Sequence, residues 1–242
     1  VRDLLPRALF SVEPELFRQD ASGARTIDAN LCVHGGDGRA LELACDNALA
    51  IARALRPTTG RYFLWADDGA AWCACDRCAP LSASDQALTL ENAVVDALRA
   101  ASPHARLAHL AYASTLAAPT VVRPRPGIFL EFAPIWRRYD LPLDTPGDET
   151  QRAHLAALDA NLAVFGSDGA QALEYWLDAS RFSHWQRPSV RLPFDESLLA
   201  DDVETYRARG VRHLTSFAVF LDADYVARYG DPPLDAYGAA LR

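Results

Sequence analysis

The sequence contains no lysine: all 24 basic residues are arginine. A Schiff-base lysine and the lysine of a phosphate-binding Walker loop are therefore excluded. Methionine is absent as well, even at position 1. From this we expect a mature product or an excised domain, with part of the parent protein missing ahead of residue 1 and any targeting signal outside the chain. Long apolar runs are missing. None approaches the ~18 residues of a membrane span, so no spanning helix is expected. A basic stripe is missing too, and 32 acidic against 24 basic residues leave a net charge of -8. That balance argues against a nucleic-acid partner. Cysteine is scarce and odd in number, at positions 32, 45, 73, 75 and 78. An odd count argues against a fully paired disulfide framework.

What is present suits a folded α/β chain. Half of the 242 residues are hydrophobic and 23% are charged, enough for a sizeable core. Five short apolar segments bounded by Gly, Pro or Asp read as buried parallel strands: Arg61–Ala66, Arg106–Tyr112, Ile128–Ala133, Ala170–Leu177 and Val211–Ala218. Thr26–Val33 is a weaker sixth. Helical spacing marks Arg39–Arg56, Asp85–Ala101, Thr150–Phe165 and Glu196–Arg209, with Ser84 or Asp85 as an N-cap and Gly210 just past the last helix. Alternating strands and helices indicate a parallel sheet. Long polar and aromatic connections follow the strands and short ones precede them, as in a TIM-like (β/α)8 barrel. With about six strands against the eight of a full barrel, the expectation is an incomplete one. Residues 1–242 would be a single barrel domain or the larger C-terminal part of one.

The most concentrated chemistry is W-C-A-C-D-R-C at Trp72–Cys78. Three thiols at this spacing can converge on one tetrahedral ion, and Cys32 is the expected fourth ligand, with His34 behind it. A structural zinc on Cys32, Cys73, Cys75 and Cys78 is one reading; disulfides and free thiols are the others. Zinc-binding thiols would suit a cytoplasmic protein and disulfides a secreted one. Cys45 falls in a helix pattern and reads as a small core residue.

Carboxylates mark the strand ends. Asp67 and Asp68 close Arg61–Ala66, while Glu131 and Glu174 lie inside apolar segments. A carboxylate there is costly to bury unless it is hydrogen-bonded or faces a wet cavity. Asp68 and Glu174 are the expected acid–base pair, with Glu131 as the alternative partner. The structural alternative is ion pairing with Arg137, Arg138 or Arg181. Trp65, Trp72, Tyr112, Trp136, Tyr139, Tyr175, Trp176 and Trp185 cluster near the same ends, with Asp67 beside them. Rings beside carboxylates suit a sugar, which offers C–H faces to the rings and hydroxyls to the acids; large aromatics packing a rim are the structural alternative. His109 alternates within a strand and reads as a core histidine.

These residues carry a family likeness. L-W-A-D-D-G-A-A-W-C-A-C-D-R-C (Leu64–Cys78), followed by S-D-Q-A-L-T-L-E-N-A-V (Ser84–Val94), resembles the domain-of-unknown-function 4838 family. N-L-C-V-H (Asn30–His34), E-P-E-L-F (Glu13–Phe17), F-A-P-I-W-R-R-Y (Phe132–Tyr139) and E-Y-W (Glu174–Trp176) extend the likeness from Glu13 to Val211. Such proteins look like distant relatives of glycoside hydrolase family 20 and the α-glucuronidases. The resemblance implies a TIM-like barrel and a carbohydrate substrate. Two departures stand out. Glu13 replaces a histidine, and Ala70–Ala71 replace a Gly-Gly pair at the turn. The expected function is a glycoside hydrolase-like domain working through paired carboxylates. A non-catalytic carbohydrate-binding barrel and a zinc-dependent hydrolase are the alternatives.

Overall fold

A computed structural model describes residues 3–28 and 30–242. Among these residues the chain forms one parallel sheet and seven α-helices. The first helix, α1 (Arg39–Leu55), precedes strand β1 (Arg61–Tyr62). Next come α2 (Ala83–Ala101), β2 (Arg106–Tyr112), β3 (Ile128–Ala133) and α3 (Glu149–Phe165). The chain continues through β4 (Gln171–Glu174), α4 (Ala179–Phe182), α5 (Glu196–Ala208) and β5 (His213–Ser216). Helices α6 (Ala223–Tyr229) and α7 (Leu234–Ala240) follow the sheet. No described helix is long and apolar enough to cross a membrane.

The (β/α)8 barrel expectation is overturned. The sheet has five strands in the order β1-β2-β3-β4-β5, all parallel, and forms an open half-barrel. The sixth expected strand, Thr26–Val33, does not join it. Apart from Ala29, which lies outside the described residues, that segment is irregular; Leu31 makes an isolated antiparallel bridge to Phe17. Its polar residues explain this: the Asn30 side chain is committed to the turn after β1, as described below. The β2–β3 connection carries no long helix, in keeping with its proline-rich sequence.

Alternation along the strands assigns every side chain to a face. Register pairs Leu110 with Glu131, Tyr112 with Ala133, and Glu131 with Gln171. Neighbours in register share a face, so Leu110, Tyr112, Phe129, Glu131, Ala133, Gln171 and Leu173 lie on the face turned away from the helices. Leu107, His109, Leu130, Phe132, Ala172 and Glu174 lie on the helix-covered face. Helix α2 is set by Ser82, not by Ser84 or Asp85. Ser82 caps the helix, and Asp85 at the third position closes a capping box. Asp85 also accepts the amides of Thr120, Val121 and Val122 at 3.1, 2.9 and 2.8 Å. One buried carboxylate thus starts α2 and shapes the proline-rich connection at once. Gly210, with φ of 80°, follows α5 as expected.

Candidate functional site

A cleft of about 390 Å³ opens at the C-terminal ends of the strands. Open parallel sheets bind ligands on that side, because loops from several strands converge there. Each strand end contributes to the lining: Trp65, Asp67 and Asp68 after β1, Tyr112 at the end of β2, Ala133 at the end of β3, Tyr175 and Asp178 after β4, and Phe217 after β5. Trp72, Trp185 and Asn30 complete its walls.

Asn30 builds the turn that presents the carboxylates. Its Oδ1 accepts the Asp67 amide at 3.2 Å, and its Nδ2 donates to the carbonyls of Ala70 and Ala71 at 3.0 and 3.4 Å. Its own amide donates to Ala71 O at 3.3 Å. Gly69, at φ of 63°, takes the left-handed position of this turn. Asp67 is ion-paired with Arg7, so it holds the N-terminal segment against the turn. Asp68 lies beside the Tyr112 phenol; burial, with the Asp68 charge, pushes that phenol up to about 12. Tyr175 is also pushed above its ordinary value by burial, by Tyr112, and by the carboxylates of Glu174, Asp178 and Asp68. Asp68 and Asp178 therefore act on one phenol from two strand ends.

Of the residues expected from sequence, Trp65, Asp67, Asp68, Trp72, Tyr112 and Tyr175 line this cleft. Glu174 does not. It sits on the opposite face, fully buried, in an ion cluster. Arg137 Nε donates to its two oxygens at 3.1 and 3.3 Å, and the phenols of Tyr139 and Tyr206 donate as well. Arg137 also pairs with Asp202, which accepts the Leu143 amide at 2.7 Å. This is the arginine pairing weighed as the structural alternative. Trp176 shares that face; its indole N–H donates to Asp202 at 2.8 Å. For Glu174 the reason is parity: Gln171 and Leu173 share the face of Glu131, so Glu174 cannot; Trp176 lies in the turn just beyond β4. Trp136 is 57% exposed and lies outside the cleft lining, but its ring meets that of Trp185 edge-on at 6.1 Å.

Glu131 is on the correct face but beneath the floor, at 1% exposure. Gln171 Nε2 donates to it at 3.1 Å. Burial pushes its carboxyl up to about 7, against the opposing pull of Arg61, Gln171 and Trp65. A carboxyl raised from 4.5 to about 7 on folding makes the native state bind more protons than the unfolded chain between those values. Its contribution is therefore fully present below pH 4.5 and lost as pH rises toward about 7. The loss is on the order of 3 kcal/mol. Glu131→Gln should flatten the fall of the thermal midpoint between pH 5 and 8; melting curves followed by circular dichroism would show it. An unchanged slope would mean that Glu131 is already charged in the native state.

Sequence reasoning missed Asn30 as a site residue, along with Asp178 and Phe217; of the other aromatics expected near the strand ends, Trp185 lines the cleft, whereas Tyr139 lies with Glu174 in the ion cluster. Asn30 was visible in N-L-C-V-H without a role. Asp178 follows the strand by enough residues that only the turn after β4 brings it back to the rim.

The cysteines are placed as expected. Cys32, Cys73, Cys75 and Cys78 have their sulfurs within 4.8 Å of one another. None of the five cysteines is in a disulfide. Cys45 lies in α1, half-buried and packed against the core.

No curated protein and no solved structure matches the chain. A family model, described as Domain of unknown function (DUF4838), matches residues 2–165. The match covers the cysteine run, the Asp67–Asp68 turn and β1 to α3, and it stops short of the Glu174–Trp176 motif. The chain belongs to the DUF4838 family.

Proposed function

We propose that the cleft binds an oligosaccharide and cleaves a glycosidic bond. The observation that carries this reading is Asp68 set among Trp65, Trp72, Tyr112 and Tyr175 in one cleft. A sugar ring stacks its C–H face on an aromatic ring and gives its hydroxyls to carboxylates and phenols. The cleft is of ligand size, since small-molecule sites span ~300–1,000 Å³. Trp185 and Trp136, both more than half exposed, continue the aromatic surface outward. Large exposed aromatics side by side mark a binding surface, and this pair gives room for a second sugar ring.

Cleavage needs two carboxyl groups, one to protonate the leaving oxygen and one to act as base or nucleophile. With Glu174 on the far side of the sheet, the second carboxyl is Asp178. One of its oxygens is committed to α4, accepting the amides of Ser180 and Arg181 and the Ser180 hydroxyl. That anchoring fixes the carboxyl at the rim.

The test is titration with a panel of neutral and acidic oligosaccharides, followed by tryptophan fluorescence. Trp72→Ala should weaken binding about tenfold, on the scale of one lost aromatic contact. Trp176→Phe, remote from the cleft, should leave affinity unchanged. Equal affinity of wild type and Trp72→Ala for every saccharide bound would refute the assignment of the cleft.

A further inference from the structure

The four clustered sulfurs come from two distant stretches of chain, yet their spacing has one simple cause. Cys32 Sγ is 3.8 Å from Cys75 Sγ and 3.8 Å from Cys78 Sγ. Disulfide sulfurs lie at about 2.05 Å. Sulfurs at the corners of a tetrahedron, each ~2.3 Å from a central zinc, are about 3.8 Å apart. A backbone amide is aimed at the cluster: the Gln19 N–H donates to Cys73 Sγ at 3.3 Å. Such a donor suits a thiolate bound to a metal, whose excess negative charge it offsets.

We infer that Cys32, Cys73, Cys75 and Cys78 bind zinc as a tetrahedral thiolate site that pins one wall of the cleft. On binding, each thiol yields its S–H proton to solvent and its sulfur forms a Zn–S bond, so proton release accompanies loading. The ion is structural. A zinc that activates water keeps one coordination position open; here four sulfurs fill the tetrahedron, and Cys32, Cys73 and Cys78 are at most 3% exposed. That arrangement leaves the zinc-dependent hydrolase alternative no position for water.

The link to the cleft is short. Cys73 follows Trp72 directly, and Cys32 lies just beyond Asn30, which folds the Asp67–Ala71 turn. Gln86 of α2 clamps the other side: its Oε1 accepts the Cys73 amide at 3.1 Å, and its Nε2 donates to Cys73 O at 3.1 Å. Zinc on the four sulfurs therefore fixes Asn30 and Trp72 relative to each other. The metal site itself stands whether or not the cleft takes a saccharide.

The experiment uses the full chain. Elemental analysis after dialysis should find one zinc per chain. Cobalt(II) added to the chelated protein should give the strong visible bands of tetrahedral thiolate coordination, and zinc should bleach them. Zinc should also restore the tryptophan emission changed by chelation, since Trp72 adjoins a ligand. Cys78→Ser should lose the cobalt bands, whereas Cys45→Ser should keep them. If Cys78→Ser fails to fold, the wild-type cobalt spectrum still decides. Cobalt bands of octahedral type, disulfides among these cysteines in the purified protein, or loss of the bands in Cys45→Ser would overturn the site. Iron at one per chain would overturn the choice of ion. A loaded site whose removal leaves the tryptophan emission unchanged would overturn the pinning of the wall, whatever the saccharide titration shows.

Discussion

Glu174→Ala should lower stability by about 3–5 kcal/mol, the cost of removing one partner from a buried ion pair. In a chain of this length that corresponds to a thermal midpoint lower by roughly 10 °C. The cause is specific. Glu174 accepts Arg137 and two phenols inside a cluster that water does not reach. Without it, Arg137 keeps Asp202 as partner but loses two of its hydrogen bonds, and Tyr139 and Tyr206 lose their acceptor. Burial, with Glu174 beside them, already holds both phenols well above their ordinary value, so they remain donors with nothing to donate to. Differential scanning calorimetry would measure the drop. A midpoint within about 2 °C of wild type, too small for a lost buried partner, would mean that the cluster is not a stabilising unit.

Asp68→Asn should do the reverse. The amide keeps the shape of the side chain at the cleft wall, so the midpoint should stay nearly unchanged. Turnover of a cleavable aryl glycoside should fall by at least ~10²-fold, the low end for lost acid–base catalysis. Affinity for the intact saccharide should change much less, because the aromatic walls remain. The contrast between the two variants separates a carboxylate that holds the fold from one that faces the ligand. Binding without turnover in the wild type would leave the cleft as a saccharide-binding surface and remove the hydrolytic role.

The same contrast shows what can be read from a sequence of this kind. Segments β2 and β3 are apolar, short and bounded by turns, and they form strands over the residues expected. The convergence of Asp68, Tyr112 and Tyr175 follows from parallel strands ending on one side of a sheet. The face on which Glu174 lies does not follow from hydropathy. Strand β3 is buried on both faces, and β4 nearly so, so apolar residues run on without an alternation that would mark inside from outside. Register with β3 decides the matter, since Gln171 pairs with Glu131 and Glu174 is an odd step away. The barrel expectation failed for a related reason. Thr26–Val33 ends in an apolar run, but Leu31 and Cys32 are buried beside the cysteine cluster and α1, not in the sheet. The cysteine cluster itself was legible because a short motif fixes three sulfurs locally, and only the fourth needed long-range structure.

The most direct measurement of the central claim is the location of a bound oligosaccharide in a crystal of the Asp68→Asn variant, which should bind without cleaving. The account predicts a sugar ring stacked on Trp72 or Tyr175, with its glycosidic oxygen between residue 68 and Asp178. A saccharide seated elsewhere on the molecule, or a cleft that stays empty while the protein binds sugar in solution, would contradict it.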